Sequence, residues 1–377
     1  MFLTGATGFV GANLLRYLLD MPEVKQVACL ARRQGSVNGA DRIQQTLERY
    51  DLWPTSLTLI QKIMVLEGDI IEPDLGLGTE RFTWLTNWAS VVFHLGAKVN
   101  FCETYASHYP SNVVGTKNVL RVAALGKRKS FHYMSSIDVW GPTGFILGTL
   151  RVLEDDPLLP HLQALRYDLG YSASQWTAEQ MVRRMRDRDL PVAIHRPGYI
   201  IGDSKTGALN PNDFFSRLIM GCIQIGAFPD LQQNLEYCTI DYVISAMVHI
   251  ASSNRNLGRS YSLLSPDPSA SITVRDTCQV INDAGYPVKL IRYSQWLSKV
   301  TAGQLPDGPL APLMPMFEER VLGELTRWEA SQNTPIYDST NALEALKDRP
   351  DIQYKPLDPE LLKLIISFWT RKGFYDV

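Results

Sequence analysis

Short apolar runs alternate with amphipathic stretches over residues 1 to about 200 of the chain. The runs Met1–Thr4, Gln26–Ala31, Ile63–Glu67, Ser90–His94, Ser130–Ser135 and Val192–His195 have the length and apolar content of buried strands. After the first of them, Val10, Leu14, Leu15, Leu18 and Leu19 recur at helical spacing. Strands alternating with helices predict βαβ units and a parallel sheet, an α/β protein of the doubly wound kind.

The pattern continues with a helix over Thr239–Ala251 and a strand over Arg259–Leu264. Gly202–Asp213 reads as a turn-rich loop, with Asp203 and Asp213 as turn residues. Thr301–Met316 contains Pro306, Pro309, Pro312, Pro315, Gly303 and Gly308, which argues against a regular helix and for a lid or a linker. The chain closes on a predicted helix. Asp358 is its N-cap, Pro359 its first residue, Leu361, Leu362, Ile365, Ile366 and Trp369 its buried face, and Gly373 its stop.

At 377 residues the chain is long for one ordinary core, so two domains or one large α/β unit are expected. A net charge of -2 provides no basic field, which sets nucleic acid and anionic membranes aside as partners. No apolar run reaches the roughly 20 residues of a membrane span. Cysteines 29, 102, 222, 238 and 278 are dispersed, with no C-x-x-C spacing. Such a set predicts free thiols in a reducing, cytoplasmic setting and neither a disulfide framework nor a metal site. Met1–Thr4 runs directly into a glycine loop, as expected of a monomeric domain excised from a longer polypeptide.

That loop, Thr4-Gly5-Ala6-Thr7-Gly8-Phe9-Val10-Gly11, follows a strand and opens a helix. Glycines at 5, 8 and 11 let the backbone turn, approach a pyrophosphate and pack helix on strand, and the helix N-terminus offers N–H groups to phosphate. The second strand ends at Arg32, which suits the 2′-phosphate of NADP, where an NAD site places a carboxylate. Gly68-Asp69-Ile70 closes the third strand, where Asp69 is placed to accept from an adenine amino group.

Gly170-Tyr171-Ser172-Ala173-Ser174-Gln175-Trp176 has the form of a Tyr-x-x-x-Lys helix with Gln175 at the Lys position. With it stand His94–Asn100, Asn112–Thr116, Met134-Ser135-Ser136, Arg196–Gly202 and Thr239–Val243. Together these motifs resemble the extended short-chain dehydrogenases over nearly the whole chain. More narrowly, they resemble the terminal thioester-reductase domains of nonribosomal peptide synthetases and hybrid polyketide–peptide synthetases, and the related domain of carboxylic acid reductases. The resemblance implies a Rossmann-type sheet over 1–202 and 236–265, with a smaller, mostly helical substrate domain from 203–235 and 266–377. It also implies that Gly5, Thr7, Gly8, Gly11, Arg32, Asp69, Ile70, Gly96 and Ala97 hold NADP(H). Ser136 would bond the substrate carbonyl and Tyr171 would be the proton donor, with Ser135 ranked below Ser136. The substrate would arrive on the phosphopantetheine arm of an acyl or peptidyl carrier domain.

Gln175 departs from the family pattern. A free phenol has a pKa of about 10, and a nearby cation lowers a pKa by about 1–3 pH units. Without that cation, hydride transfer is expected to slow by about 10- to 1000-fold. Gln175 retains the capacity to bond a ribose hydroxyl. Some reductase-like terminal domains of fungal hybrid synthetases release product without redox, by Dieckmann condensation of a β-ketoacyl-aminoacyl thioester to a tetramic acid. Gln175 makes that cyclase the expected activity, with Lys98, Asp138 and His94 as candidate bases. NADPH-dependent release as an aldehyde or alcohol is the alternative. His195 and the aromatics Trp140, Trp176, Tyr199, Phe214, Phe215 and Phe228 read mainly as core.

Overall fold

A computed structural model describes residues 1–303 and 308–375. Seven parallel strands make its main sheet: β1 (Phe2–Thr4), β2 (Val27–Ala31), β3 (Ile63–Glu67), β4 (Val91–His94), β5 (Ser130–Met134), β6 (Val192–Pro197) and β7 (Arg259–Leu263). Their spatial order is β7-β6-β5-β4-β1-β2-β3. The strand order reverses between β1 and β4, so the carboxyl ends of these two neighbours form the crevice where α/β sheets bind ligands.

Helices cover both faces, because successive side chains of a strand point to opposite sides. Leu3, Cys29 and Phe93 face a core shared with α1 (Phe9–Asp20), α2 (Gly39–Arg49), α7 (Ile240–Ala251) and α10 (Pro359–Arg371). Phe2, Ala28, Val92 and Phe131 face α3 (Thr79–Trp88), α4 (Gly115–Ala124) and α5 (Gly170–Arg186). α10 starts as its sequence predicts: the Asp358 carboxylate accepts from the Leu361 N–H at 2.7 Å with Pro359 at the first position.

Outside the sheet lie α6 (Phe214–Ile225), α8 (Val274–Asp283) and α9 (Tyr293–Gly303) with short strand pairs. Asp213 caps α6, its carboxylate accepting from the Ser216 N–H at 2.7 Å. Arg151–Val152 pairs in parallel with Ile336–Tyr337, which ties the segment before α5 to the C-terminal part. The proline-rich segment departs from the expectation at its margins. Thr301–Gly303 continue α9, and Met314–Glu318 form a short helix with Pro315 in its first turn, where its missing N–H is harmless. Residues 304–307, including Pro306, lie outside the described residues. No helix among the described residues is long and apolar enough to cross a membrane, and no group of three or more His, Cys, Asp or Glu has metal-binding proximity among them.

Candidate active site

A cleft of about 460 Å3 opens at the carboxyl ends of β1 to β4, lined by Gly5, Thr7, Gly8, Arg32, Asp69, Ile70, Gly96 and Ala97. Gly5 holds φ +86°, and a Cβ there would lie 2.8 Å from the Leu95 carbonyl carbon. Gly11 stands behind the wall: a Cβ on it would lie 2.1 Å from the Gly5 carbonyl oxygen, so only glycine lets α1 pack on the loop. The β4 end is pinned by a relay through the fold. Gly96 N–H donates to Thr4 Oγ1 at 3.0 Å, and the His94 ring bridges Thr4 Oγ1 at 2.8 Å and Thr116 Oγ1 at 2.9 Å. Burial pushes the His94 pKa down to about 3. This imidazole is a neutral structural bridge, which corrects its candidacy as a base.

Arg32 reaches over the β2 end of the cleft with its side chain 60% exposed, 3.5 Å from the Asp69 carboxylate. Arg42 donates to the Arg32 carbonyl at 2.7 Å. Burial first, and the Arg32 charge second, pull the Arg42 pKa down. Arg32 thus brings a guanidinium to the cleft wall, a group suited to an anion such as a phosphate. The glycine cradle with Arg32 at its wall forms a cleft whose donors suit the phosphates of a dinucleotide.

Tyr171 lies in the first turn of α5, 8% exposed. Gln175, 2% exposed, donates from Nε2 to the Tyr171 hydroxyl at 3.0 Å, while its Oε1 accepts from the Tyr133 hydroxyl at 3.0 Å. Its amide is thus engaged by two phenols through one N–H and the carbonyl oxygen, and the second N–H is not used in either bond. Burial, then the Asp138 charge, push the Tyr171 pKa up, and the Gln175 bond pulls it the other way. Ser136 caps the short turn Ile137–Trp140, its Oγ accepting from the Asp138 N–H at 3.1 Å. That turn packs on α5. Ser135 is otherwise employed: its Oγ donates to Glu179 at 2.7 Å, inside a buried cluster in which Glu179 also binds Arg183 and Arg196. Lys98 lines the cleft but its ammonium is paired with Glu103 and bonds Ser107 Oγ at 2.9 Å.

A second cavity of about 60 Å3 is walled by Asp138, Asp168, Leu169, Ser172, Tyr199, Gln233, Met316 and Tyr337 among others. Ser136 and Tyr171 sit beside this wall in sequence, through Ile137 and Ser172. Burial raises the Asp138 pKa to about 6, and burial with the nearby Asp138 charge raises that of Asp168 to about 7. The sequence reading missed Asp168, Tyr133 and Tyr337. Asp168 precedes Tyr171 by three residues, the one local signal that pointed to it. Trp140, Phe214, Phe215, Phe228 and His195 are core, as expected, whereas Tyr199 reaches the cavity.

Fold and cleft define the class first, a dinucleotide-binding enzyme of the extended short-chain dehydrogenase type. The chain belongs to the family described as "Male sterility protein", whose model matches residues 3–247, and groups with the terminal reductase domains of peptide and hybrid synthetases. It is 45% identical over 376 residues, 99% of its length, to the "Non-canonical nonribosomal peptide synthetase FrzA" of Cladobotryum sp, of which it spans 36%. It is 44% identical over 375 residues, 98% of its length, to the "Aldehyde reductase lnaA" of Aspergillus flavus, again spanning 36%. The crystal structure of the terminal R domain from the myxalamid PKS-NRPS pathway superposes with a TM-score of 0.84 at 32% identity, covering 100% of this chain and 91% of that one. The chain thus spans about a third of the length of the curated relatives it matches.

Proposed function

We propose that this domain releases a carrier-bound thioester by NADPH-dependent reduction to an aldehyde. The observation that carries the reading is the intact cleft, with its glycine cradle and Arg32 at its wall. The relative named as an aldehyde reductase supports it. Residues 203–235 and 266–377 serve as the part that closes over the substrate, and a carrier domain docks near the cleft mouth.

Bound NADPH supplies the hydride for the thioester carbonyl carbon. Ser136 and Tyr171 donate hydrogen bonds to the carbonyl oxygen as it becomes anionic. The leaving group is a thiolate, whose parent thiol has a pKa of about 8.5. The oxyanion can therefore collapse to the aldehyde without first taking a proton from Tyr171. A phenol that burial makes a weak acid, aligned by Gln175, suffices as a donor. Reduction onward to an alcohol is different, because an alkoxide must be protonated, and there the missing lysine slows the step. Gln175 thus favours stopping at the aldehyde.

Redox-free Dieckmann cyclisation is the second reading, favoured by Gln175 and by Asp138, a carboxylate whose pKa of about 6 suits a base and whose charge is felt by Tyr171. A release assay separates the two: a synthetic pantetheine thioester, with and without NADPH, following cofactor absorbance and product mass together. Aldehyde matched by NADPH loss supports reduction. A cyclised product formed at equal rate without NADPH overturns it.

A further inference from the structure

A buried charged cluster joins α5 to the Ser136 turn. Glu179, on α5, is fully buried. Its carboxylate accepts from Arg196 through both Nε, at 2.9 Å, and Nη2, from Arg183 Nε at 2.8 Å and from Ser135 Oγ at 2.7 Å. Arg196, near the end of β6, is as fully buried. Its guanidinium carbon lies 5.2 Å from the centre of the Trp140 ring, and its Nη1 donates to the Glu154 carbonyl at 2.7 Å. Ser135 precedes the capping Ser136, and Trp140 closes the turn Ile137–Trp140. The Glu179–Arg196 pair therefore grips that turn at both ends. The Ser135 N–H, bonded to the His195 carbonyl at 2.8 Å, fixes the same corner to β6.

Glu179 also belongs to the element that carries the phenol. Tyr171, Gln175 and Glu179 follow one another at four-residue spacing, are all buried and share one face of α5. A buried ion cluster is a poor device for stability alone, because the cost of desolvating the charges offsets their attraction. What it supplies here is a fixed distance. Charge-assisted bonds join the helix bearing Tyr171 to the turn bearing Ser136. We propose, on the reading in which Ser136 and Tyr171 bond the thioester carbonyl oxygen, that Glu179 and Ser135 are positioning residues that hold the Ser136 hydroxyl in register with the Tyr171 hydroxyl. Arg196 fixes the Glu179 carboxylate in this arrangement. Loss of the Ser135–Glu179 bond keeps both hydroxyls but frees the turn to shift against α5. Two donors that no longer converge stabilise the oxyanion less.

Ser135→Ala tests the link with the least disturbance, because both Glu179 oxygens keep their guanidinium partners. With a pantetheine thioester and NADPH, kcat should fall by about 10- to 100-fold, the cost of a small misplacement made away from the reacting atoms. KM for NADPH should change by less than about twofold. Glu179→Gln should act in the same direction and more strongly, with circular dichroism melts checking that both variants fold. The decisive comparison is a double-mutant cycle. If Ser135 acts through Ser136, Ser135→Ala added to Ser136→Ala should lower kcat by less than about twofold further. Equal losses in the wild-type and Ser136→Ala backgrounds, or full kcat in Ser135→Ala, would overturn the assignment. Full kcat in Ser136→Ala with NADPH still consumed would also overturn it, and would leave the reductive reading standing. If release consumes no NADPH, the reductive reading fails, and the same cycle on the rate of NADPH-independent release decides the positioning role by the same outcomes.

Discussion

Gln175 is the residue on which the chemistry turns. In sequence it looked like a loss, a cation removed from beside a phenol. In the fold it is a buried connector that orients Tyr171 through one amide group while Tyr133 holds the other end. Restoring the cation tests its role. Gln175→Lys should lower the Tyr171 pKa and speed reduction of an added aldehyde to alcohol by about tenfold or more, since each pH unit of proton-transfer driving force weighs directly on that step. Release of the aldehyde should change far less. An unchanged alcohol-to-aldehyde ratio would remove Gln175 from the account. Arg32 makes a separate prediction. Arg32→Ala should raise KM for NADPH by about 10- to 100-fold, the worth of one charge-assisted contact to phosphate, with KM for NADH unmoved. Steady-state kinetics with both cofactors check this.

At the scale of elements, the glycine loop and its helix act as one unit. Gly11→Ala places a methyl against the Gly5 carbonyl, where backbone must move. Overpacking of this kind costs about 1–3 kcal/mol, so the melting temperature should fall and NADPH binding weaken together. Thermal shift with and without NADPH reads both effects. The strands and α10 were legible because apolar periodicity and capping are local: Asp358, Pro359 and Gly373 each act within a turn of their own position. The residues lining the cleft were legible for a related reason, since they follow the ends of the first four strands. The proline-rich segment misled because a proline in the first turn of a helix, as at Pro315, obeys the same rule that excludes it from an interior. The Asp138–Asp168 pair was illegible. The two belong to separate turns thirty residues apart, and only the packing of α5 on the Ser136 turn brings them to one wall.

The whole molecule carries opposed buried acids and imidazoles, and these set its response to pH. Asp138, Glu154, Asp168 and Asp213 have pKa values raised by burial to about 6, 7, 7 and 7. A raised acid binds its proton more tightly in the folded state, so each gives stability as pH falls from about 7 toward its unfolded value near 4. His94, His132 and His195 are pushed down by burial, the first two to about 3. Each therefore takes stability away as pH falls below about 6.5. The two sets oppose one another between about pH 5 and 7, where stability should be nearly flat. Below the ordinary carboxylate range the acids no longer help. There the imidazoles still resist charging, and Glu179, held down at about 2 by Arg196 and Arg183 against its burial, loses its pairing. Stability should drop steeply below about pH 4.5. Denaturant melts across pH 3 to 8 check the shape, and a steady decline through pH 5–7 would contradict it.

Reductive release by this domain is tested most directly by a single turnover with NADPH deuterated at the transferable position. A carrier-bound aminoacyl thioester is mixed with the domain, quenched and weighed by mass spectrometry. Reduction predicts an aldehyde bearing one deuterium, with one equivalent of NADPH consumed. A released product free of deuterium, with the cofactor intact, would contradict the account and leave cyclisation in its place.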